Sequence, residues 1–228
     1  MNYAIIDTET IGIYQPYIYD FGMVVMNDNG VVLDSYNANV AEIFNTPQLF
    51  NKAFYQWKRP IYGLRNTIVK SFHNIIDDIN TMLEKYDVTV ISAYNLAFDL
   101  RAINKTLDFL TIPTNFFKKE YSLVDIWNVA CEILFSTPAF VDFAITNGWT
   151  SEAGNIKTNA EIAYRWATQD FDFHEAHVAI DDCNIEAAVL LHCINEATDI
   201  PQGIVSAPWR KVADYRDWLA TYRYLKTA

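Results

Sequence analysis

Three short stretches of the chain carry residue types and spacings that could do chemistry. They are Asp7 and Glu9 in Asp7-Thr8-Glu9-Thr10, Asp99 at the end of Asn95-Leu96-Ala97-Phe98-Asp99, and His177 with Asp182 in His177-Val178-Ala179-Ile180-Asp181-Asp182. The first pair closes an apolar run, Tyr3-Ala4-Ile5-Ile6, that reads as a strand. Side chains alternate faces along a strand, so Asp7 and Glu9 point the same way, and two like charges held that close repel unless a cation lies between them. A divalent ion with oxygen ligands is the natural occupant. An Asp-x-Glu pair alone is common; the company of the other two stretches gives it weight.

The elements that must position these residues follow from periodicity. After the first strand, residues 18–26 and 31–39 read as two more, joined by Asn27-Asp28-Asn29-Gly30, whose Asn-Gly pair favours a tight hairpin. Residues 44–66 lose both periodicities yet carry Phe50, Phe54, Tyr55 and Trp57 together with Lys52, Lys58, Arg59 and Arg65. Lys70 follows, and no acid occurs from Phe44 to Ile76. Two readings stay open there: rings and cations that meet nucleic acid, or rings that cover a core edge beneath solvated cations. Helical spacing returns at Ile68, Phe72, Ile75, Ile79, Met82 and Tyr86.

Residues 88–93 read as a short β-branched strand, followed by a helix with Leu96, Leu100, Ile103, Leu107 and Leu110 on one stripe. Asp99 then lies in that helix's first turn, at the carboxyl end of a strand, where open α/β sheets bind ligands. Asn95 reads as the helix cap. Residues 121–125 suggest a strand ending in Asp125, to which no role is assigned, and 126–135 a helix. Residues 138–159 look irregular, with turns at Asn147-Gly148 and Gly154-Asn155, and Thr158-Asn159-Ala160-Glu161 resembles a capping box opening a helix that ends near Thr168.

A further helix is expected from about Asp181 to Ala197. Both Asp181 and Asp182 fall in its first turn, and periodicity does not separate them. His73, His174 and His192 lack partners at a recognisable spacing and read as structural. Residues 201–208 form a loop, and 209–225 a last helix with a solvated face.

The chain's 228 residues, 51% of them apolar, suffice for one large core, so residues 1–228 read as a single domain. Seventeen basic residues against 28 acidic ones give a formal charge of −11, which argues against a general phosphate-binding surface. Any nucleic-acid contact must be local. Cys131, Cys183 and Cys193 have no Cys-x-x-Cys spacing, so neither a zinc knuckle nor a disulfide framework is expected. With no leader pattern and no apolar run of membrane-spanning length, the expectation is a soluble cytoplasmic protein without membrane contact, in a host's cytoplasm if phage-encoded.

Taken together and in this order, the three stretches resemble the exonuclease motifs of the DEDD family, in the subgroup with His in its third motif. The resemblance spans nearly the whole chain. It implies a ribonuclease H-like α/β fold, a mixed sheet flanked by helices, and a 3′-to-5′ exonuclease that releases nucleoside 5′-monophosphates with two Mg²⁺ or Mn²⁺ ions. In that scheme Asp7, Glu9, Asp99 and Asp182 are metal ligands, with Asp7 bridging, and His177 is the general base. The choice of Asp182 over Asp181 rests on the family spacing of five residues after the His. Apart from the resemblance, Thr8 and Thr10 flank the carboxylate pair and their backbone would bracket the terminal nucleotide, while Trp57, Lys58 and Arg59 of the aromatic, basic stretch would contact the strand. One departure is Asp20-Phe21-Gly22, where many relatives carry Glu-Ile-Gly.

Single-stranded nucleic-acid 3′ ends are the expected partner, DNA before RNA, with replication or repair proteins beside them; the oligomeric state is left open. Three alternatives remain: an exoribonuclease, a nuclease-fold binding subunit without activity, and an endonuclease, which unlike an exonuclease would cut circular strands.

Overall fold

The computed structural model describes residues 1–65 and 67–227, with the side chains of 225–227 excepted; Asn66, which closes the aperiodic stretch, lies outside the described residues. A six-stranded sheet runs in the order β4 (Ile68–Lys70), β3 (Val32–Val40), β2 (Ile18–Asn27), β1 (Asn2–Thr10), β5 (Val90–Ala93) and β6 (Ser122–Asp125). Strands β1 (Asn2–Thr10), β2 (Ile18–Asn27) and β3 (Val32–Val40) form the expected antiparallel meander. The Asn-Gly turn closes with Gly30 N–H donating to Asn27 O at 3.0 Å, and Gly30 takes a φ of +79° that favours glycine. On the far side of β1, β5 (Val90–Ala93) and β6 (Ser122–Asp125) add in parallel.

Strand β2 is buried along almost its whole length, because helices cover both faces of the sheet. On one face, Ala4 and Ile6 of β1 pack with α4 (Phe72–Lys85) and α5 (Leu96–Phe109). On the other, Tyr3 and Ile5 pack with α6 (Ile126–Val129, continued by a π turn over Ala130–Leu134), α8 (Ala160–Thr168), α9 (Ala179–Glu196) and α10 (Trp209–Thr227). Short helices α1 (Ala41–Phe44), α2 (Pro47–Phe50) and α3 (Arg59–Leu64) occupy the stretch that lacked periodicity. Among the described residues, no single helix is long and apolar enough to cross a membrane.

Several local expectations are corrected. Ile68 belongs to a three-residue edge strand, β4 (Ile68–Lys70), parallel to β3, and Ser71 starts α4 afresh by accepting Asn74 N–H. Helix α7 (Pro138–Thr146) lies in a segment read as irregular. Its Pro sits at the first helical position, where a missing N–H costs nothing, and Thr137 Oγ1 caps it through Phe140 N–H. The capping box before α8 does not close: Glu161 accepts Glu175 N–H at 2.9 Å and pairs with Arg165 at 2.9 Å. Helix α9 begins two residues before Asp181. His73 has a partner after all, Asp77 one turn on at 3.7 Å.

Candidate active site

The end of β1 is the floor of the site. Side-chain alternation continues the face of Tyr3 and Ile5 through Asp7 and Glu9, the face that α9 covers. Thr8 points the other way, is buried, and donates its hydroxyl to Asp99 Oδ1 at 2.8 Å. Asp99 is 3% exposed in the first turn of α5. The chain enters α5 through Asn95, held at φ +68°, a left-handed conformation that Asn tolerates. Its N–H donates to Asp125 Oδ1 at 3.1 Å, and the turn closes through Asn95 O and Phe98 N–H at 2.8 Å. Asn95 therefore stands at the cap position without capping through its side chain, and Asp125 caps α6 through Trp127 N–H.

Helix α9 delivers the third element. Asp182, 4% exposed in its first turn, comes together with Glu9 and His177 so that one ligand atom of each lies within 4.8 Å of the other two. Asp182 Oδ1 is buried without a hydrogen-bond partner among the described residues. A buried carboxylate oxygen left unpaired calls for a missing ligand, and the oxygen and imidazole donors suit a divalent ion. Asp181 turns away into an ion pair with Arg65. Asp7 and Asp99 stand outside the trio but close enough for their charges to act on one another.

Burial of several carboxyls side by side is the dominant property of this cluster, with their mutual charge second. Burial, then Asp182, Glu186, Asp99 and Glu9, pushes the Asp7 carboxyl well above the ordinary carboxylate range. Burial raises Glu9 to about 8 and Asp182 to about 9, with Asp20 adding to the first and Glu175 to the second. Burial also lifts Asp99 to about 7 against the opposing Thr8 hydrogen bond. The cation set among them is Lys58, itself only 5% exposed and lowered by its own desolvation. A cluster of this kind is stable when protonated or when a cation neutralises it.

The remaining sequence candidates separate. Lys58 is turned inward: its ammonium donates to Ala176 O and lies 4.4 Å from the Tyr55 ring centroid. Arg59 lies over the rings of Phe44 and Phe50 at 4.4 and 4.8 Å. Phe50 is core, so for that ring the core-cover reading holds. Trp57 and Phe54 are 67% and 82% exposed. Thr10 Oγ1 donates to Gly12 O at 3.2 Å.

Two residues at the site, Glu186 and Glu175, were not singled out, and Tyr55 was read only as one ring of the aperiodic aromatic stretch. Glu186, one turn beyond Asp182 on α9, is buried and accepts Tyr94 N–H at 3.0 Å, tying α9 to the end of β5; the Asp-x-x-x-Glu spacing on one helix face was the available signal. Glu175 is raised to about 7 by burial and by Glu161. It also lines an open cleft of about 650 Å³ with Tyr94, Asn95, Trp127 and Lys157. Tyr55 stacks on the His177 imidazole, ring centroids 4.3 Å apart and planes at 12°; no spacing rule could have found it.

The sequence matches no family model and no curated protein. Solved structures do match. Exonuclease X in complex with 5′-overhanging duplex DNA has a TM-score of 0.50 at 18% identity, covering 94% of this chain and 99% of that one. E. coli exonuclease I in complex with a dA16 oligonucleotide has a TM-score of 0.53 at 15% identity, covering 97% and 43%. Exonuclease I from Methylocaldum szegediense gives 0.53 at 15%, covering 84% and 40%. This chain thus spans less than half the length of the exonuclease I chains. At these identities the likeness is one of fold, and the fold is the ribonuclease H-like α/β fold of these exonucleases.

Proposed function

We propose that residues 1–228 form one exonuclease domain of the His-containing DEDD type, which removes nucleotides from the 3′ end of single-stranded DNA as nucleoside 5′-monophosphates, with two Mg²⁺ or Mn²⁺ ions. The observation that carries this reading is the convergence of Glu9, His177 and Asp182, from opposite ends of the sequence, within 4.8 Å. The unpaired Asp182 Oδ1 and the mutual repulsion of the carboxylates fit a cation there. The DNA-bound exonucleases that share the fold support the substrate class.

Asp7, Glu9, Asp99 and Asp182 would hold the metal. Bound divalent ions would supply Lewis acidity: activation of water, neutralisation of the phosphate and stabilisation of the departing 3′ oxygen. Thr8 orients Asp99 through its hydroxyl. His177 takes the proton of the attacking water on a ring nitrogen, and burial together with the Lys58 charge lowers its pKa, which keeps that nitrogen free at neutral pH. Exposed Trp57 and Phe54 offer faces on which bases can stack. The strand's phosphates have few other basic places to bind on a chain of charge −11.

The test is product analysis on a 5′-labelled oligonucleotide with Mg²⁺ and with chelator. A ladder shortening from the 3′ end, with 5′-mononucleotides released and nothing in chelator, is expected. A labelled mononucleotide appearing first would reverse the polarity, faster decay of a matched RNA would make the protein an exoribonuclease, and cutting of circular single strands would make it an endonuclease. Inertness on all of these leaves a binding subunit.

A further inference from the structure

Resting on the reading of His177 as general base, we propose that Tyr55 is a positioning residue that holds the His177 imidazole in place by ring stacking, as the inner face of a strap formed by residues 53–65. His177 needs an external hold. It lies in the loop before α9 with φ +50°, a left-handed conformation unfavourable for a residue with a Cβ. Its Nδ1 stands 3.9 Å from Glu175 Oε2, beyond hydrogen-bond range, so that carboxylate does not fix the ring's orientation. Tyr55 does what the hydrogen bond would do, at 4.3 Å and 12°.

The strap grips the same loop at two further points. Lys58 donates to the carbonyl of Ala176, the residue before His177, and Arg65 pairs with Asp181, four residues after it. Tyr55, Lys58 and Arg65 thus fix the ring, the backbone entering it and the first turn of α9. The strap's own footing is in the core: Ala53 and Tyr62 are buried, and Tyr62 meets Phe44 edge to face at 5.6 Å. A general base is effective only when its lone pair is held in line with the proton it takes, and a displacement of about 1 Å can cost about 10²-fold in rate.

The experiment compares kcat and KM on a single-stranded oligonucleotide with Mg²⁺ for the parent, Tyr55→Phe, Tyr55→Leu, Tyr55→Ala, His177→Ala and the double variant Tyr55→Ala/His177→Ala. Tyr55→Ala is expected to lower kcat by roughly 10- to 100-fold with KM within about twofold, and Tyr55→Leu, which keeps apolar cover but loses the flat face, to follow it. Tyr55→Phe, which keeps the ring, restores the parent rate. On the His177→Ala background the Tyr55→Ala change should cost less than about threefold, because a residue that acts through another has nothing left to act on. An equal loss on both backgrounds, a rise in KM with kcat intact, or full activity in Tyr55→Leu overturns the proposal. Parent-like turnover in His177→Ala removes the base assignment itself, and with it the role given to Tyr55.

Discussion

Asp20 Oδ2 accepts the backbone N–H of Ala179 at 3.0 Å, both residues fully buried and 159 positions apart. Ala179 is the first residue of α9, whose preceding residue, Val178, has no side chain able to cap it. A carboxylate from β2 therefore does the capping, satisfying an N–H the helix leaves unpaired and meeting its positive end. Asn39 Nδ2 holds the other oxygen at 3.1 Å. Two residues along, Gly22 lets the strand approach so closely that a Cβ there would lie 2.5 Å from the Ala179 carbonyl carbon. Asp20-Phe21-Gly22 is thus the seat of α9, and through α9 of Asp182.

Asp20→Ala is expected to destabilise the fold by about 1–3 kcal/mol, the cost of leaving buried donors unpaired. Gly22→Ala should cost about 1–3 kcal/mol or more, because backbone and not a flexible side chain must move. Urea denaturation measures both; parent-like midpoints would show that α9 is seated by other contacts.

Each of Asp7→Asn, Glu9→Gln, Asp99→Asn and Asp182→Asn is expected to lower turnover by roughly 10²–10³-fold or more, the scale of losing one electrostatic stabiliser of a transition state. Asp99→Asn is the cleanest of the four, since its remaining oxygen can still accept from Thr8 and the fold should be unchanged. Steady-state rates in Mg²⁺ decide each residue separately; unchanged turnover in Asp182→Asn would return the role to Asp181.

His177→Ala should cut turnover by roughly 10²–10⁴-fold while metal affinity stays the same, and the defect should shrink as pH rises and hydroxide replaces the missing base. Metal titration of the variant checks this. Normal turnover with weakened metal affinity would make His177 a ligand, a role its place beside Glu9 and Asp182 also permits.

Metal removal should make stability depend on pH in a definite direction. Glu9, Asp99 and Asp182 stand at about 8, 7 and 9 in the folded chain, against ordinary values of 4.5, 3.8 and 3.8. Between those limits the native state binds protons that the unfolded state has released. The stability is therefore complete below the ordinary values and lost as pH rises through the folded ones. Thermal melts in chelator should show Tm falling from about pH 5 to about pH 8, and Mg²⁺ or Mn²⁺ should reverse the fall most at the upper end, where no protons compete. A flat profile in chelator would mean that the cluster is not charged against itself.

Trp57→Ala and Phe54→Ala should raise KM by an amount equivalent to about 1–3 kcal/mol for each ring that carries a base, with kcat nearly intact. Binding to an Asp7→Asn background at two salt concentrations separates stacking from phosphate contact. Loss of neither affinity nor salt dependence across these rings, Lys52 and Arg59 would leave the surface as cover for the core.

The meander, β5, α5 and α9 were legible because each combines a regular apolar period with a signal at its end: Asn-Gly in the hairpin, and carboxylates where strands stop. Of the candidate site, the local strings around Glu9, His177 and Asp182 could be read in the same way, and the structure brings those three residues together. Helix α7 was hidden because Ala139, Phe140, Val141, Phe143, Ala144 and Ile145 leave almost no polar face to set a period. What stayed invisible depends on contacts between distant parts of the chain. Glu161 is diverted from its own helix end to Glu175, Lys58 is drawn from the surface into a carboxylate cluster, and Tyr55 finds His177 across most of the sequence.

The place of β1 also sets an order of events during synthesis. It is made before both strands it pairs with, yet it lies inside the sheet, between a neighbour that follows at once and one that needs Val90 to have been made. Helix α9, which brings Asp182 and Glu186 to it, comes later still. Contacts so far apart in sequence close slowly and last. A nascent chain can build the hairpin of β1 and β2 early, but Asp7 and Glu9 then face water with no opposing carboxylate. The carboxylate cluster comes into being only once α9 has been made, so a chain that stops short of Asp182 holds Asp7 and Glu9 without the charges that oppose them.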